Sequence, residues 1–506
     1  MRITNKVMQN NALANINKNK VLQDNLNNQL STGKKIMRPS EDPVVAIRAL
    51  RLRTDLSQVQ QFYKKNIPDA QAWLSLTESS INTTISVVKS MISECERGAS
   101  DHLQTTDREK IIDSLKALRD EAYKTGDADY AGRYIFTGYR TDTSLSFAKP
   151  TTKEYQITEA FQFEDLEEMT FVDTANLNSI TEANYTSEKI LEQDVSSFNY
   201  YRLRLSYGDI DSTIPTTDLD GKEVKSITIR NGDGSAAYTP TLVTDAQTAY
   251  ENAAADPNGI YLVPSTGELV MGKEVYNKIN DGNTYNITYN KTNWKATDLR
   301  PEHYFYCESR NDQGLNVKYN PNYLTNLAVS PDQKIEYQVG FDQNVQVNTY
   351  ASDVYKHDIG RDVDEIIDLA ERVGKVEEMV AKFEEMQNDP AKDQDQVELD
   401  LAAAKKAETL LKDQLQRTFS KYITNTQGYL DGVNEAVTVV GNRSQRVSLA
   451  ENRLSDQETT FQTLQSNNED ADATEVAVQL SSAEVSYEAA LMATSKMIQS
   501  TLMNYL

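Results

Sequence analysis

Residues able to perform acid–base, nucleophilic or metal chemistry are few and scattered in this chain. Its 506 residues include three histidines, His102, His303 and His357, and two cysteines, Cys95 and Cys307. A catalytic base or a metal site needs several such side chains at short spacings, because their atoms must converge on one substrate or ion. Each of these five stands alone. We therefore interpret the histidines as solvated or helix-capping, and the cysteines as small buried side chains that form no disulfide.

Carboxylates are abundant, but their pattern is typical of a solvated helix rather than of a catalytic cleft. The densest group is flanked by lysines at helical spacing, which favours ion pairs between residues four apart; it comprises Glu377, Glu378, Glu384 and Glu385, with Lys375 and Lys382. The sequence contains no HExxH, no GxSxG, no phosphate-binding loop and no GxGxxG after a strand. We predict no catalytic residue, no cofactor and no metal, and hence no enzyme.

Charge and hydropathy exclude two classes of partner. Lys and Arg number 52 against 76 Asp and Glu, a formal net charge of -24. Phosphate backbones and anionic lipids repel such a chain, so we expect neither nucleic-acid nor membrane binding. Apolar runs fall far short of the ~20 residues that cross a bilayer, and the first residues lack a cleavable secretory signal. The chain is therefore cytoplasmic unless it is exported without cleavage.

Prolines mark where helices can run. Of the twelve, none lies between Pro68 and Pro150 and none after Pro390, and a proline inside a helix costs ~3 kcal/mol. The first of these stretches predicts a helix over 43–98, kinked or restarted near Pro68, and another over 107–124 with Asp107 as its cap and Gly126 as its end. The second predicts one very long helix, because apolar residues recur every seventh position at Val433, Val440, Val447, Leu454 and Phe461.

Helices are also predicted at both ends of the chain, and both look weak. The first covers residues 5–30 and is rich in asparagine, a poor helix former. Gly33 ends it, and Ser40 or Asp42 caps the next helix with Pro43 in its first turn. The last helix follows a break at residues 467–472. The apolar face of each terminal helix is too small to stabilise that helix alone. We therefore expect these faces to form a polymer interface, which comprises Val7, Ala14, Val21, Leu22, Leu26, Leu30, Val476, Leu480, Ala483, Tyr487 and Ala490.

The middle of the chain reads as β. Strand-like runs separated by turn residues occur at 155–157, 200–205, 227–229, 260–263, 285–289 and 304–306, with a short helix near 244–255 and a closing hairpin at 334–347. A charged helical hairpin follows at about 373–415, turning at Pro390. The predicted fold is therefore α+β, with terminal helices (1–42 and 467–506), a helical bundle (43–140 and 361–466) and a β-rich region (141–360).

Several motifs resemble the flagellin superfamily. They are QLSTGKKI at 29–36, PSEDP at 39–43, GRYIFTGY at 132–139, VGNR at 440–443 and STLMNYL at 500–506. The resemblance covers about the first and last 140 residues, and the motif at 132–139 points to the branch that joins the hook to the filament. It implies an elongated, secreted axial subunit of the flagellum, exported uncleaved through the flagellar type III apparatus, with copies of itself and other axial proteins, including flagellin, as partners.

The same resemblance implies two roles for the ends of the chain. The terminal helices would be disordered in the free monomer and would pair as a coiled coil in the polymer. An export chaperone would bind the last helix through Tyr487, Leu491, Met497, Ile498 and Leu502. Two alternatives stay open: a filament flagellin, and an extracellular carbohydrate-binding protein that uses tyrosine-rich strands and Trp294 as a sugar platform.

Overall fold

The chain combines long helices at both ends of the sequence with a β-rich middle. The computed structural model describes residues 5–100, 104–175, 177–181, 183–186, 190–224, 226–231, 234–279, 284–311, 313–323 and 333–503. The α+β fold class is confirmed, including the helical hairpin that follows the β-rich middle. None of the helices in these ranges is long and apolar enough to span a bilayer.

The chain forms two compact units. The first comprises Met1–Ala70, Tyr337–Val345 and Gln445–Leu506, and the second comprises Gln71–Glu336 and Gln346–Ser444. The predicted division at residues 42, 140, 360 and 466 stays a prediction. The helices are α1 (Asn5–Thr32), α2 (Pro43–Gln61), α3 (Ile67–Gly98), α4 (Thr105–Thr125), α5 (Ala246–Ala255), α6 (Lys273–Ile279), α7 (Ala351–Val354), α8 (His357–Gln387), α9 (Gln394–Glu469) and α10 (Ala473–Met503).

Local signals set where the first helices begin and end. Gly33 adopts a φ of +69°, the left-handed conformation that ends α1. Asp42 caps α2 by accepting from the N–H groups of Val44 and Val45, and Pro43 occupies the first turn. Between α2 and α3 the residues Phe62–Asn66 form a π turn. This wider turn accommodates Pro68, which has no N–H and whose ring would crowd the carbonyl four residues earlier.

One predicted cap is wrong. Helix α4 begins after Gln104, whose side chain makes no capping hydrogen bond. Asp107 lies inside the first turn, where its carboxylate pairs with Lys110 at 3.2 Å. An acidic side chain there still favours the helix electrostatically. Gly126 does end α4, but at a φ of -70°, not in the left-handed conformation.

Two sheets form the β-rich middle of the second unit. One has the strand order β4-β5-β10-β9-β8 and the other β13-β12-β3-β11-β6-β7. Neighbouring strands are antiparallel except β8 and β9, which are parallel. The strands are β3 (Tyr155–Phe161), β4 (Leu166–Asp173), β5 (Ser196–Arg204), β6 (Ile227–Asn231), β7 (Gly234–Tyr238), β8 (Thr241–Leu242), β9 (Ile260–Val263), β10 (Glu268–Met271), β11 (Thr284–Lys291), β12 (Tyr306–Arg310) and β13 (Asn316–Tyr319).

Trp294 belongs to the core beside these sheets. It is buried, and its ring packs against Phe147, Tyr155 and Tyr207 at centroid distances of 5.0, 5.3 and 5.1 Å. Its indole N–H donates to the Lys153 carbonyl at 2.8 Å. A sugar platform requires an exposed ring face. The core interpretation of Trp294 therefore holds, and this residue gives the carbohydrate-binding alternative no support.

Two short hairpins complete the strands. The first pairs β1 (Asp129–Tyr130) with β2 (Arg133–Tyr134). Its turn residues Ala131 and Gly132 both have positive φ, at 52° and 78°, which suits the right-handed twist of a tight hairpin. The second hairpin pairs β14 (Glu336–Gly340) with β15 (Gln343–Gln346), where the sequence predicted one.

The helical hairpin formed by α8 and the start of α9 is more buried than predicted. Glu377 is not a solvated carboxylate in a pair along its own helix. It accepts from both terminal nitrogens of Arg108 on α4, at 3.1 Å each, and pairs with Lys412 on α9 at 2.8 Å. Burial opposes the charged form, but these hydrogen bonds outweigh it and lower the pKa of Glu377 to about 2. Glu384 pairs with Lys405 of the opposite arm.

The described histidines are buried, so the solvated interpretation is wrong for them. Burial lowers the pKa of His303 to about 4 and that of His357 to about 3. The Tyr207 hydroxyl donates to the Leu299 carbonyl, so His357 donates from Nε2 to the Tyr207 oxygen at 2.8 Å. His102 lies outside the described residues. Cys95 and Cys307 are free and buried.

Candidate functional site: the paired terminal helices

Helices α1 and α10 pack side by side within the first unit, and the apolar core that their described side chains form between them is small. Leu26, Val476 and Ala483 are its buried members, and Leu480 and Ala471 pack against them. The remaining α1 residues on this side recur at steps of three and four and are mainly small or amide-bearing: Gln9, Ala12, Ile16, Asn19 and Gln23. Such a seam contains little apolar surface, and apolar burial is the main source of helix-pair stability.

The α1 residues predicted as a seam lie on the opposite side. Val7, Ala14 and Val21 are spaced by seven, and all three are exposed. Since heptad positions share one face, they form a stripe pointing away from α10. Leu22 and Leu30 are also exposed, and only Leu26 of the predicted set joins the inner core. Whether these residues form the predicted polymer interface stays a prediction.

Helix α10 has the same two-sided character. The predicted residues Val476, Leu480, Ala483, Tyr487 and Ala490 are its less exposed members and follow the steps of the inner side. Val478, Val485 and Met492 repeat every seventh residue between them and are exposed by 64% to 67%. We call Val7, Ala14 and Val21, together with Val478, Val485 and Met492, the outer stripes. The α10 stripe was not predicted, because the heptad spacing of the inner side alone explains the apolar pattern of this helix.

The outer stripes are apolar surface that one chain leaves in water. Fully burying an exposed valine or methionine contributes about 1.5–3 kcal/mol. The five larger members of the stripes therefore represent potential stabilisation that the single chain does not realise. Exposed apolar residues in a regular array, unlike single scattered ones, mark an interaction surface.

A network of backbone and charged contacts joins the residues that follow α1 to the residues that precede α10. Lys34 and Asp470 form an antiparallel β-bridge, with the Lys35 N–H donating to the Glu469 carbonyl at 2.7 Å. Arg53 of α2 donates to both carboxylate oxygens of Glu469, at 2.7 and 2.6 Å. Hydrogen bonding to Arg53 lowers the pKa of Glu469. This fork was not predicted, because its partners lie 416 residues apart.

The predicted chaperone-binding residues are only partly described. Tyr487 is half-buried toward α1, and Leu491 is exposed. The side chains of Met497, Ile498 and Leu502 lie outside the described part of the chain, although α10 extends to Met503. Leu491 follows the half-buried Ala490 directly, so it projects beside the seam and not into it.

Comparison with known proteins finds a family match at the helical start of the chain. Residues 3–141 match the family model described as the bacterial flagellin N-terminal helical region. This part of the chain is therefore similar to a flagellin N-terminal helical region. It contains α1 to α4 and the β1–β2 hairpin, and therefore the α1 outer stripe and Arg53.

Similar proteins match mainly over a region of this size. The chain is 28% identical to flagellar hook-associated protein 3 of Salmonella typhimurium over 145 residues, 28% of this chain and 45% of that protein. It is 30% identical to flagellar hook-associated protein 3 of Escherichia coli over 117 residues, 23% and 37% of the two chains. A flagellin of Clostridium tyrobutyricum is 29% identical over 121 residues, 24% of this chain and 32% of that protein. The match thus spans less than half the length of each relative.

Among solved structures, a putative flagellar hook-associated protein from Vibrio parahaemolyticus is 13% identical and has a TM-score of 0.34. The aligned region covers 85% of this chain and 100% of the Vibrio parahaemolyticus protein. FlgL from Xanthomonas campestris is 10% identical, with a TM-score of 0.31 and coverages of 81% and 98%.

Proposed function

We propose that this chain is a structural subunit of the bacterial flagellum that joins the hook to the filament and catalyses no reaction. Its flagellin-type N-terminal region supports the flagellar assignment. The similarity to the hook-associated proteins of Salmonella typhimurium and Escherichia coli, over 145 and 117 residues, supports the junction over the filament. The observation that carries the proposal is the pair of outer stripes, apolar heptad surfaces that a lone subunit leaves exposed.

The outer stripes give the proposal a mechanism of assembly. Copies of α1 and α10 placed side by side would cover each other's valines, removing apolar surface from water. The polymer interface therefore comprises both outer stripes, Leu22 and Leu30, around an intramolecular seam that contains Leu26, Val476 and Ala483. Its partners are further copies of this chain, other hook-associated proteins and flagellin.

The proposal extends to export. The chain would leave the cell uncleaved through the flagellar type III apparatus, and a chaperone would shield α10 until then. Tyr487, Leu491, Met497, Ile498 and Leu502 are the proposed contact residues. Leu491 supports this, since an exposed leucine on a helix destined for a polymer needs protection from premature association.

Immunogold labelling of cells that produce the tagged full-length chain tests the proposal. A junction subunit is expected as a single cluster of gold particles at the base of each filament. Labelling along the whole filament would instead establish a filament flagellin, the second candidate that the relative from Clostridium tyrobutyricum represents.

Polymerisation of the purified chain gives an independent measurement. A junction subunit should form no long filaments on seeding with filament fragments, whereas a flagellin should elongate the seeds. A cell that lacks the chain but still assembles filaments attached to its hooks would contradict the junction role.

A further inference from the structure

A large polar cavity lies within the second unit, away from the terminal helices. Its volume is about 870 Å³, and α4, α8 and strands β4 and β5 contribute to its walls. Most charged side chains around it are paired. Arg202, for example, binds Glu268 and Glu365, and Arg204 binds Asp362 at 2.6 Å. Among the described cations of the wall, Arg361, Lys291, Arg372 and Lys375 form no ion pair within 4.0 Å, and of these Arg361 and Lys291 both lie against Gly208.

Two guanidinium nitrogens of Arg361, on α8, donate hydrogen bonds to backbone carbonyls. Nε donates to the Leu205 carbonyl at 3.1 Å and Nη2 donates to the Thr266 carbonyl. Nη1 lies against Gly208, where a β-carbon would approach it to 2.8 Å. Among the described residues, no carboxylate oxygen lies within 4.0 Å of its nitrogens, unlike those of its neighbours Arg202 and Arg204.

The side chain of Lys291, on β11, also reaches Gly208. Its side chain is buried, and its ammonium donates to the carbonyls of Gly208 at 2.7 Å and Asp209 at 3.1 Å. The described residues offer it no carboxylate within 4.0 Å either, since Asp209 pairs instead with Lys295. Burial lowers the pKa of both Lys291 and Arg361, so each cation is poorly solvated where it stands.

An unpaired buried charge costs free energy unless something compensates it. In a chain with 24 excess negative charges, a carboxylate partner would have been easy to provide. Both cations lie against Gly208, where Nη1 itself takes the place that a β-carbon would need. Arginine recognises planar or tetrahedral oxyanions through paired N–H donors, and a nearby ammonium adds a point charge.

We infer that this cavity binds a small oxyanion, of the phosphate or carboxylate class, between Arg361 Nη1 and the Lys291 ammonium at Gly208. The neighbouring His357 is neutral, so it contributes no charge to the site. The inference does not rest on the proposed flagellar role. It assigns to the second unit a ligand whose binding would rigidify the packing of α8 on the strands.

Isothermal titration calorimetry of the full-length chain with inorganic phosphate tests this site. The wild type should bind in a saturable manner with 1:1 stoichiometry. Arg361→Gln and Lys291→Gln should each weaken binding by about tenfold or more, since each removes a charged donor. Arg417→Gln is the matched control, because Arg417 is an exposed arginine of α9 outside the cavity wall. It should bind phosphate as the wild type does.

Two results would overturn the site: no saturable heat up to about 10 mM phosphate, a concentration that corresponds to negligible affinity, or equal affinity of the wild type and Arg361→Gln. If Arg361→Gln fails to fold, Gly208→Ala replaces it. The new methyl group would push Nη1 aside while keeping the guanidinium, and unchanged phosphate affinity in a folded Gly208→Ala would equally overturn the inference. Citrate in place of phosphate separates a carboxylate ligand from a phosphate one.

Discussion

The terminal helix pair and the helix–sheet unit bury opposite kinds of side chain. Between α1 and α10 the seam is small and amide-rich, and valines spaced by seven face water. In the second unit the largest side chains are buried, among them Trp73, Tyr155 and Tyr289, and even charges are interior, as the Arg202 network shows. The second unit completes its own core, whereas the terminal pair leaves apolar heptad positions exposed to water.

This difference teaches where stability and assembly reside. A region with its apolar residues inside is stable as a monomer, because folding alone removes them from water. A region with them outside gains most of its stability only when other chains cover them, by mass action. The four changes that follow are ordered from the largest expected effect on the free energy of unfolding to the smallest.

Removing the cation of the buried network should be the most damaging. Arg202→Ala leaves Glu167, Glu268 and Glu365 close together without their shared partner, at a cost of about 3–5 kcal/mol. Urea unfolding followed by tryptophan fluorescence measures this, since Trp73 and Trp294 both belong to the second unit. Arg97→Ala, which removes an exposed pair, should cost at most about 1 kcal/mol. Equal effects would mean that the network stabilises no more than the surface pair.

Acid should weaken the second unit through its buried histidines. Burial lowers the folded pKa of His357 to about 3, below the ordinary value of about 6.5. Between these values the unfolded chain binds the proton and the folded chain does not, so stability is lost as pH falls through this window. His357→Gln should flatten the pH dependence of the unfolding free energy by about 1.4 kcal/mol per pH unit between pH 4 and 6.

Glu159 contributes to the pH dependence of stability with the opposite sign. Burial raises its folded pKa to about 7, so its contribution runs the other way: stability is present below about pH 4.5 and lost as pH rises through 7. Comparing His357→Gln with the wild type cancels this common contribution. A difference that does not vary with pH would show that His357 does not titrate as its burial requires.

The inner and outer faces of α1 can be separated by one substitution made at two positions. Leu26→Ala empties the buried core and should cost about 2 kcal/mol, whereas Leu22→Ala, on an exposed leucine, should cost no more than about 0.5 kcal/mol. Hydrogen exchange of the α1 amides in the monomer measures both. If α1 is unprotected in the wild type, the helices are disordered before assembly, as the sequence predicts, and the pair forms only in the polymer.

The outer stripe of α10 should matter least to the monomer and most to assembly. Val485→Asp places a charge on exposed surface and should change the unfolding free energy by no more than about 0.5 kcal/mol. Its incorporation into flagella, counted by immunogold labelling, should nevertheless fall sharply, because a buried carboxylate disrupts an apolar interface. Ala477→Asp, on an exposed position of the same helix about 100° around the axis from Val478, is the matched control. Normal incorporation of Val485→Asp would remove the outer stripe from the interface.

Much of the fold was readable from local signals. The αL glycine Gly33, the cap Asp42 and the breaker Pro390 act within a few residues, so the bounds of α1, the start of α2 and the turn of the helical hairpin were predicted closely, although the first arm of the hairpin begins earlier than predicted, at His357. Strands with clear β residues, such as β3 and β9, were predicted as well. Others were missed, including β4 and β10, because Leu166–Asp173 and Glu268–Met271 contain charged residues that the network around Arg202 buries in pairs.

The candidate site shows the same limit. Its heptad period was visible in the sequence, but a period is satisfied by more than one stripe on the same helix, and local spacing does not say which stripe faces a partner. The Arg53–Glu469 fork and the Arg361–Lys291 site depend on residues far apart in the chain. Their proximity is a property of the packed structure, and neither fork nor site has a local motif.

By itself, the sequence determined the kinds and order of elements, because proline, glycine, capping side chains and periodicity act through the backbone nearby. It also determined the flagellin-type character of residues 3–141. Only the tertiary structure decided that Val7, Ala14 and Val21 face outward, that His303 and His357 are buried, and that none of the described carboxylates pairs with Arg361. Each of these depends on which distant surfaces exclude water from a side chain, and that is settled when helices and sheets pack.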